Sequence, residues 1–172
     1  STSGLEIDLF GSPTDNLTLS GGIALIDAEI DSWLGGACYA GQSEAAGCVA
    51  GTQNLSGGEV PNSPDLKLSI NARYDIPIGS NMMFLTGSYR YQDEIQSNWN
   101  QYPNSIVDSY GILNLSVGYE VDNYSFEFFV RNAADKFYAN NYTTGGLLGD
   151  QQYLNHDHER LIGLNFKYSF GE

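Results

Sequence analysis

The strongest constraint on this chain is a two-residue alternation of apolar and polar side chains that recurs along its length. In LKLSINARYDI (residues 66–76) every second residue is apolar or aromatic, and the residues between them are polar. Successive side chains of a β-strand point to opposite faces, so this pattern predicts a strand with one apolar face and one polar face. The same pattern recurs six times, around residues 5–9, 17–25, 83–91, 113–119, 124–130 and 162–170. The sequence therefore predicts an all-β chain of about seven strands, the first of them short.

The connections between these segments alternate in length. Turn-like sequences separate some pairs of strands, and long polar stretches separate the others. The short ones lie at residues 11–16, around Gly79 and at 121–123, and the long ones at about 32–61, 95–106 and 139–156. In an antiparallel up-and-down sheet, this alternation places all short turns at one end and all long loops at the other. That layout is typical of an outer-membrane β-barrel.

Alternation alone also fits a soluble β-sandwich. Several runs, however, reach the ~9–11 residues that a tilted strand needs to cross hydrocarbon. Charges stay off the apolar faces, and aromatic residues gather near the short turns, as in an interfacial girdle. These aromatic residues are Tyr74, Tyr119, Tyr124, Tyr168 and Phe170. The sequence thus favours a transmembrane barrel, with a secreted soluble β-sandwich that binds carbohydrate through tyrosine-rich loops as the alternative.

The charge balance narrows the function. The chain has 21 acidic against 7 basic residues, which argues against nucleic acid as a partner because phosphates require a basic surface. No apolar run is long enough for a transmembrane helix. The first ten residues lack a basic and apolar signal-peptide pattern, so either a signal was removed or the chain is a piece of a longer one.

Two cysteines, Cys38 and Cys48, stand in a small-residue polar stretch. We predict a local disulfide formed in an oxidising compartment. In the chain-entropy view such a bridge stabilises by about 3 kcal/mol. Two free thiols in a cytosolic loop are the alternative.

The parity of the strands indicates an incomplete barrel. The last strand descends from a long loop to the short-turn end, while the first strand must begin at the long-loop end. Bacterial single-chain barrels have an even number of strands and both termini in the periplasm, and seven strands are fewer than the eight of a small filled barrel. We therefore expect residues 1–172 to form the C-terminal part of a larger barrel, unless an eighth strand lies in 32–61, where NLSGGEV is the candidate.

Several motifs resemble those of TonB-dependent outer-membrane receptors. VRNAADKFYANNY is similar to the N-x-x-D-K-x-Y stretch near the end of these receptors. EVPNSPDLKLSINARYDIPI resembles their V-P-x-x-P sequence before a strand, and GLEIDLF with the residues after it is similar to the segment that lies two strands earlier. The terminal L-N-F-K-Y-S-F resembles the closing strand that the outer-membrane assembly machinery reads, although Gly171 and Glu172 follow. The matching motif residues are Asn132, Asp135, Lys136, Tyr138 and Phe170.

This resemblance implies a barrel of about 22 strands around a plug domain, and this chain contains no plug. It implies active uptake of a scarce ligand such as a metal–siderophore, cobalamin or an oligosaccharide, and no enzymatic activity. The implied partners are the remaining strands and the plug, TonB acting through the plug, outer-membrane lipid and lipopolysaccharide. The C-terminus would be periplasmic.

Aromatic residues in the long stretches are the candidate ligand contacts. Loops of this family bind ligand through such rings, although packing within the loops is the plainer role for each ring. The candidates are Trp99, Tyr102, Tyr142 and Tyr153, with Trp33 as a further loop aromatic. The segment from Asn141 through Thr144, Gly145 and Gly146 to Gly149 is expected to be a mobile outer loop.

Other chemistry finds little support in the sequence. His156 and His158 could hold Zn²⁺ or Cu²⁺ if they shared a strand face, but no third ligand is evident and a solvated loop is the alternative. Asp135 and Lys136 are adjacent and would face opposite ways on a strand, which favours an ordinary polar role. No nucleophile motif or phosphate loop is present, so no cofactor is predicted, and a barrel hydrolase would need catalytic residues from elsewhere.

Overall fold

The computed structural model describes residues 1–143 and 149–170, and its main feature is one antiparallel sheet. Seven long strands form this sheet in chain order, each paired with its sequence neighbour. They are β1 (Thr2–Thr14), β2 (Leu17–Ala28), β3 (Leu66–Ile78), β4 (Asn81–Gln92), β5 (Tyr110–Val121), β6 (Tyr124–Arg131) and β7 (Leu161–Tyr168). The predicted all-β, up-and-down architecture of seven strands is confirmed.

The strand ends differ in places from the prediction. The first strand is not short, because it extends from Thr2 to Thr14. Its pairing with β2 is irregular between Gly11 and Thr14, where the pattern becomes turn-like. The turns that follow β1, β3 and β5 each contain two residues. Gly79 and Asp122 in two of these turns have φ of 64° and 48°, the left-handed conformation that tight hairpins use.

The two faces of the sheet differ in chemistry and in exposure. Cross-strand rows such as Leu25–Leu66 and Leu85–Val117 place apolar side chains on one face. This outer face is uncovered, with Leu115 46% and Leu164 80% exposed. Within residues 1–143 and 149–170, the remaining β-structure is three two-stranded ribbons and two isolated bridges in the loops, not a second sheet packed on these rows. The sandwich alternative is therefore wrong, because a sandwich buries this face.

The opposite face is polar, and aromatic rings fill its gaps. Phe84 is 6% exposed, and its ring covers Gly118 on the neighbouring strand so closely that a Cβ there would overlap it. The ring of Phe129 covers Gly163 in the same way. The Arg73 guanidinium lies 4.1 Å from the centre of the Phe84 ring. Glycine opposite an aromatic ring lets a large side chain lie flat along the wall.

The three long loops contain short ordered elements. Their ribbons are Gly36–Ala37 with Thr52–Gln53, Ile95–Gln96 with Ile106–Val107, and Ala139–Thr143 with Gln151–Leu154. Two 3₁₀ turns span Glu44–Ala46 and Pro103–Ser105. NLSGGEV (54–60) adds no eighth strand; it meets the sheet region through the single bridge Glu29–Glu59. Among the described residues, no helix is long and apolar enough to cross a bilayer.

Candidate functional site

Three loops leave the same end of the sheet and pack together into what we call the canopy. It comprises the described portions of residues 29–65, 93–109 and 132–160. Gln53 joins the first loop to the second, since its Nε2 donates to the Asn100 carbonyl at 2.9 Å. The backbone N–H of Tyr142 in the third loop donates to Ser97 Oγ at 3.3 Å. These contacts join the three loops into one packed structure.

A disulfide supports the first loop. Cys38 and Cys48 are bonded, as the sequence predicts. The residue after Cys38 is Tyr39, and its ring centre lies 5.2 Å from that of Tyr102 in the second loop. Sequence reasoning missed Tyr39, although its place beside a predicted disulfide could have indicated a fixed ring. The bridge thus holds one member of an aromatic pair that joins two loops.

The predicted ligand-contact residues divide into two groups. Trp99 is 51% exposed and its ring centre lies 5.9 Å from that of Trp33, so these two indoles form a surface pair. Tyr102 donates to Asp150 at 2.9 Å. That hydrogen bond to a carboxylate raises the pKa of Tyr102, which keeps the phenol neutral.

Tyr142 and Tyr153 form the second group, on the two strands of the third ribbon. Tyr142 accepts a hydrogen bond from Gln152 at 2.7 Å, and Tyr153 is 54% exposed. Thr144, Gly145 and Gly146 lie outside the described residues, as do Gly171 and Glu172.

The first two loops of the canopy carry charge of one sign only. Residues 29–65 and 93–109 contain eight carboxylates and no lysine or arginine. The carboxylates are Glu29, Asp31, Glu44, Glu59, Asp65, Asp93, Glu94 and Asp108. The third loop adds four carboxylates against Lys136 and Arg160, so the canopy as a whole creates a negative potential over the loop end of the polar face.

Asn132 organises the base of the third loop. Its side chain is fully buried; Oδ1 accepts from the Lys136 N–H at 2.9 Å, and Nδ2 donates to the Lys136 carbonyl at 2.9 Å. Nδ2 also reaches the carbonyls of Asp157 and His158 at 3.4 and 3.3 Å. Asn132 and Asp135 have φ of 47° and 55°, so this segment is a turn, and Asp135 and Lys136 do not lie on a strand. Asp135 accepts from the Arg160 N–H at 2.9 Å.

A second set of contacts, which we call the latch, ties the same loop to the wall. Arg90 on β4 donates through Nη2 to Tyr138 Oη at 2.7 Å and to Asp157 Oδ2 at 3.1 Å. The Tyr138 hydroxyl donates in turn to Asp157 Oδ1. Burial alone would raise the pKa of Asp157, but the Tyr138 hydrogen bond and the Arg90 charge outweigh it and hold this pKa below its ordinary value. The latch therefore keeps Asp157 ionised and in place.

Beside the latch, the polar face contains a groove of about 460 Å³. Its floor is made of small residues, Gly22, Ala24 and Ser69. Glu6 and Asp8 border it on β1, and Lys67 and Arg90 border it on β3 and β4. Sequence reasoning did not find this groove, because its residues come from five strands, with Tyr110 at the start of β5.

The histidine pair does not have the predicted geometry. His156 and His158 lie in a turn and not on a strand. His158 Nδ1 lies 2.6 Å from the Asn155 carbonyl oxygen, and its ring meets Phe137 edge-on. Over the described residues, no group of three or more acidic, histidine or cysteine side chains is placed to hold a metal. The two histidines therefore do not share a strand face.

The motif residues at the chain's end have distinct places. Asn132, Asp135, Lys136 and Tyr138 converge on the third loop's base, whereas Phe170 is 87% exposed and touches Tyr168, with ring centres 4.5 Å apart. Tyr168 in turn faces Tyr124 at 4.8 Å. The last hairpin thus ends in a cluster of aromatic rings at the short-turn end, on the apolar face.

An uncovered apolar face, a polar reverse face and long loops at one end together define a wall segment of a membrane β-barrel. A sequence model of the family described as TonB dependent receptor-like, beta-barrel matches residues 1–133, and the chain belongs to this family. TonB-dependent receptors are outer-membrane transport proteins and not enzymes. A search of curated protein sequences found no match.

Solved structures agree on the fold. The chain is similar to the siderophore receptor PiuA from Acinetobacter baumannii, with 19% identity and a TM-score of 0.71 over 97% of this chain and 21% of that one. It is similar to the ferric yersiniabactin uptake receptor FyuA from Yersinia pestis, with 13% identity and a TM-score of 0.77 over 99% and 23%. It is also similar to BauA, the ferric preacinetobactin receptor from Acinetobacter baumannii, with 18% identity and a TM-score of 0.65 over 98% and 22%. The chain thus spans about a fifth of the length of these receptors.

Proposed function

We propose that this chain is the C-terminal barrel segment of a receptor that takes up a scarce ligand by TonB-dependent active transport across the outer membrane. The observation that carries the proposal is the single sheet with an exposed apolar face and with its three loops gathered at one end. In a bilayer, hydrocarbon would cover that face and the polar face would line a lumen. The family match and the transport receptors with the same fold support this assignment.

The remainder of the receptor would complete the barrel. In the portion of the chain that the structure describes, β1 pairs only with β2 and β7 only with β6, so both outer edges present unpaired backbone groups. Further strands, to a total of about 22, would pair there, and a plug domain that contacts TonB would fill the lumen. Because β7 runs from the loop end to the short-turn end, the C-terminus would be periplasmic, and the acidic loops would meet lipopolysaccharide outside.

The charge of the canopy indicates which ligands it admits. An approaching anion would meet eight carboxylates and no lysine or arginine on the first two loops, and four carboxylates against Lys136 and Arg160 on the third. Such a field lowers the local concentration of anions and raises that of cations, most strongly at low salt. We therefore propose a neutral or cationic ligand, such as a neutral or cationic metal–siderophore, with cobalamin and neutral oligosaccharides as further members of this class.

Uptake by the full-length receptor tests both statements. Cells that express it as their only receptor would be given radioiron as a cationic, a neutral or a triply anionic chelate, with and without functional TonB. We expect TonB-dependent uptake of the neutral or cationic complex, and less of the anionic one. Neutralising Asp93 and Glu94 to amides should reduce this charge preference, whereas Asp122→Asn at the short-turn end should leave it unchanged. Uptake that does not depend on TonB would contradict the transport assignment.

A further inference from the structure

The groove has two banks of opposite charge. Glu6 lies on the same cross-strand row as Lys67, with Ala24 between them. Asp8 lies on the same row as Arg90, with Gly22 and Ser69 between them. With strands about 4.8 Å apart, these rows separate the charged residues by roughly 10 and 14 Å along the wall. The residues between are small, and the Asp8 carboxylate lies over Gly22, with Oδ1 2.5 Å from where a Cβ of that glycine would be. The rest of the floor, towards Lys67 and Arg90, is open.

The cationic bank has unused hydrogen-bonding capacity. Both hydrogen bonds that fix Arg90 in the latch come from Nη2. Among the described residues, Nε and Nη1 have no hydrogen-bond partner, and the side chain is 48% exposed. A guanidinium has five donors in a planar fork that matches a carboxylate. Arg90 is therefore held in place on one side and open on the other.

The other three charged side chains are free of ion pairs. Within residues 1–143 and 149–170, the ion pairs of the chain involve neither Lys67 nor Glu6 nor Asp8. Lys67 and Arg90 are diagonal neighbours on β3 and β4, so their charges reinforce each other. Lys67, Glu6 and Asp8 are therefore available to a group that comes from outside, and Arg90 is available through Nε and Nη1, since its Nη2 is paired with Asp157.

We propose that the groove binds a zwitterionic ligand, whose ammonium or guanidinium group faces Glu6 and Asp8 and whose carboxylate faces Lys67 and Arg90. This rests on the proposed function and specifies its ligand. The groove lies at the loop end of the polar face, where a ligand that passes the canopy arrives first. Its volume is in the range of about 300–1,000 Å³ that small-molecule sites occupy. A zwitterion with no net charge is also compatible with the negative potential of the canopy, which disfavours anions.

The test uses three synthetic ferric trihydroxamate chelates with one neutral metal-binding core. Each bears a lysine attached through its α-amine: one unmodified, one with the ε-ammonium acetylated, and one with the carboxylate amidated. Binding to the purified full-length receptor would be followed by the tryptophan fluorescence of the canopy. We expect the unmodified chelate to bind at least tenfold more tightly than either capped one. The carboxamide is the critical comparison, because it carries a net positive charge and the canopy alone would favour it.

Variants of the charged residues test which bank of the groove binds which charged group of the ligand. Lys67→Gln should abolish most of the preference for the free carboxylate without disturbing the latch, and Arg90→Gln should do the same more completely. Asp8→Asn should abolish the preference for the free ammonium. Lys167→Gln, on the same polar face at the short-turn end, is the control and should change neither preference.

Equal binding of the unmodified and amidated chelates would overturn the proposal, as would variants of both banks that leave the preferences intact. If Asp8→Asn instead exposes the plug to protease and leaves chelate binding unchanged, the groove holds the plug and the proposal is wrong. TonB-dependent uptake of all three chelates with equal affinity would retain the transport function and reject only the zwitterion site. Uptake of the chelates that is equal for all three and does not depend on TonB would reject both.

Discussion

Arginine in place of Leu115 should destabilise the receptor far more than arginine in place of a residue at the same height on the other face. Leu115 lies in β5, five residues after Tyr110, and is 46% exposed on the apolar face. Five residues at about 3.4 Å each, tilted by about 40°, cover about 13 Å, which is half of an apolar band about 25 Å tall. Leu115 is therefore near the bilayer midplane, where a lipid-facing arginine costs about 2–4 kcal/mol.

The matched control is Asn71→Arg. Leu115 is level with Ala72 across β4, and Asn71 precedes Ala72 on the opposite, polar face. Denaturant unfolding of the full-length receptor in phospholipid vesicles would compare the two variants. We expect Leu115→Arg to lower the folding equilibrium constant about 30- to 700-fold, and Asn71→Arg to lower it much less. Equal losses, or a larger loss for Asn71→Arg, would refute the assignment of the two faces.

Three further predictions concern the third loop and the wall. Asn132→Ala removes both hydrogen bonds to the Lys136 N–H and carbonyl. At about 0.5–1.5 kcal/mol for each bond, amide exchange at Lys136 should accelerate about 5- to 150-fold; unchanged exchange would contradict the role of Asn132. Because folding lowers the pKa of Asp157, the latch stabilises the loop fully above about pH 4. This stabilisation is lost as the pH falls through the pKa that Asp157 has in the folded protein. A nitroxide side chain at position 153 should therefore become mobile in acid, and in Asp157→Asn it should be mobile at every pH. Gly118→Ala places a methyl group in the Phe84 ring and should lower the free energy of unfolding by about 1–3 kcal/mol through overpacking, as measured by denaturant unfolding. Combining it with Phe84→Leu should recover most of this loss of stability. Full additivity of the two substitutions would contradict the contact between the ring and the glycine.

The strands were the predictable portion of this fold, because hydrophobic alternation is a local property. The alternation from Leu66 to Ile76 shows which side chains share the apolar face of that strand. The lengths of the connections indicate at which end of the sheet the loops lie. Residues 2–4 and 10–14 of β1 were not predicted to be part of the strand, because Gly, Ser and Pro interrupt the alternation of apolar and polar residues there. The strand is nevertheless extended along its pairing with β2, where backbone hydrogen bonds prevail over weak local preference.

The sites were less predictable, because they are built from residues far apart in sequence. The motif letters at Asn132, Asp135 and Tyr138 indicated a family but not a geometry. Only the structure shows that Asn132 adopts a left-handed conformation and that Tyr138 reaches Arg90, 48 positions away. The groove is similar, since its banks are formed by β1 on one side and β3 and β4 on the other. By contrast, Cys38 and Cys48 were paired correctly because their loop is local.

The central claim is that lipid covers one face of this sheet and that the other face lines a lumen. Nitroxide side chains introduced one at a time at residues 113–118 of the full-length receptor in vesicles would test it, through collisions with oxygen, which concentrates in hydrocarbon, and with a water-soluble nickel chelate. We predict a two-residue period, with positions 113, 115 and 117 accessible to oxygen and the positions between them not. Accessibility without this period, or nickel collisions at 113, 115 and 117, would contradict the account.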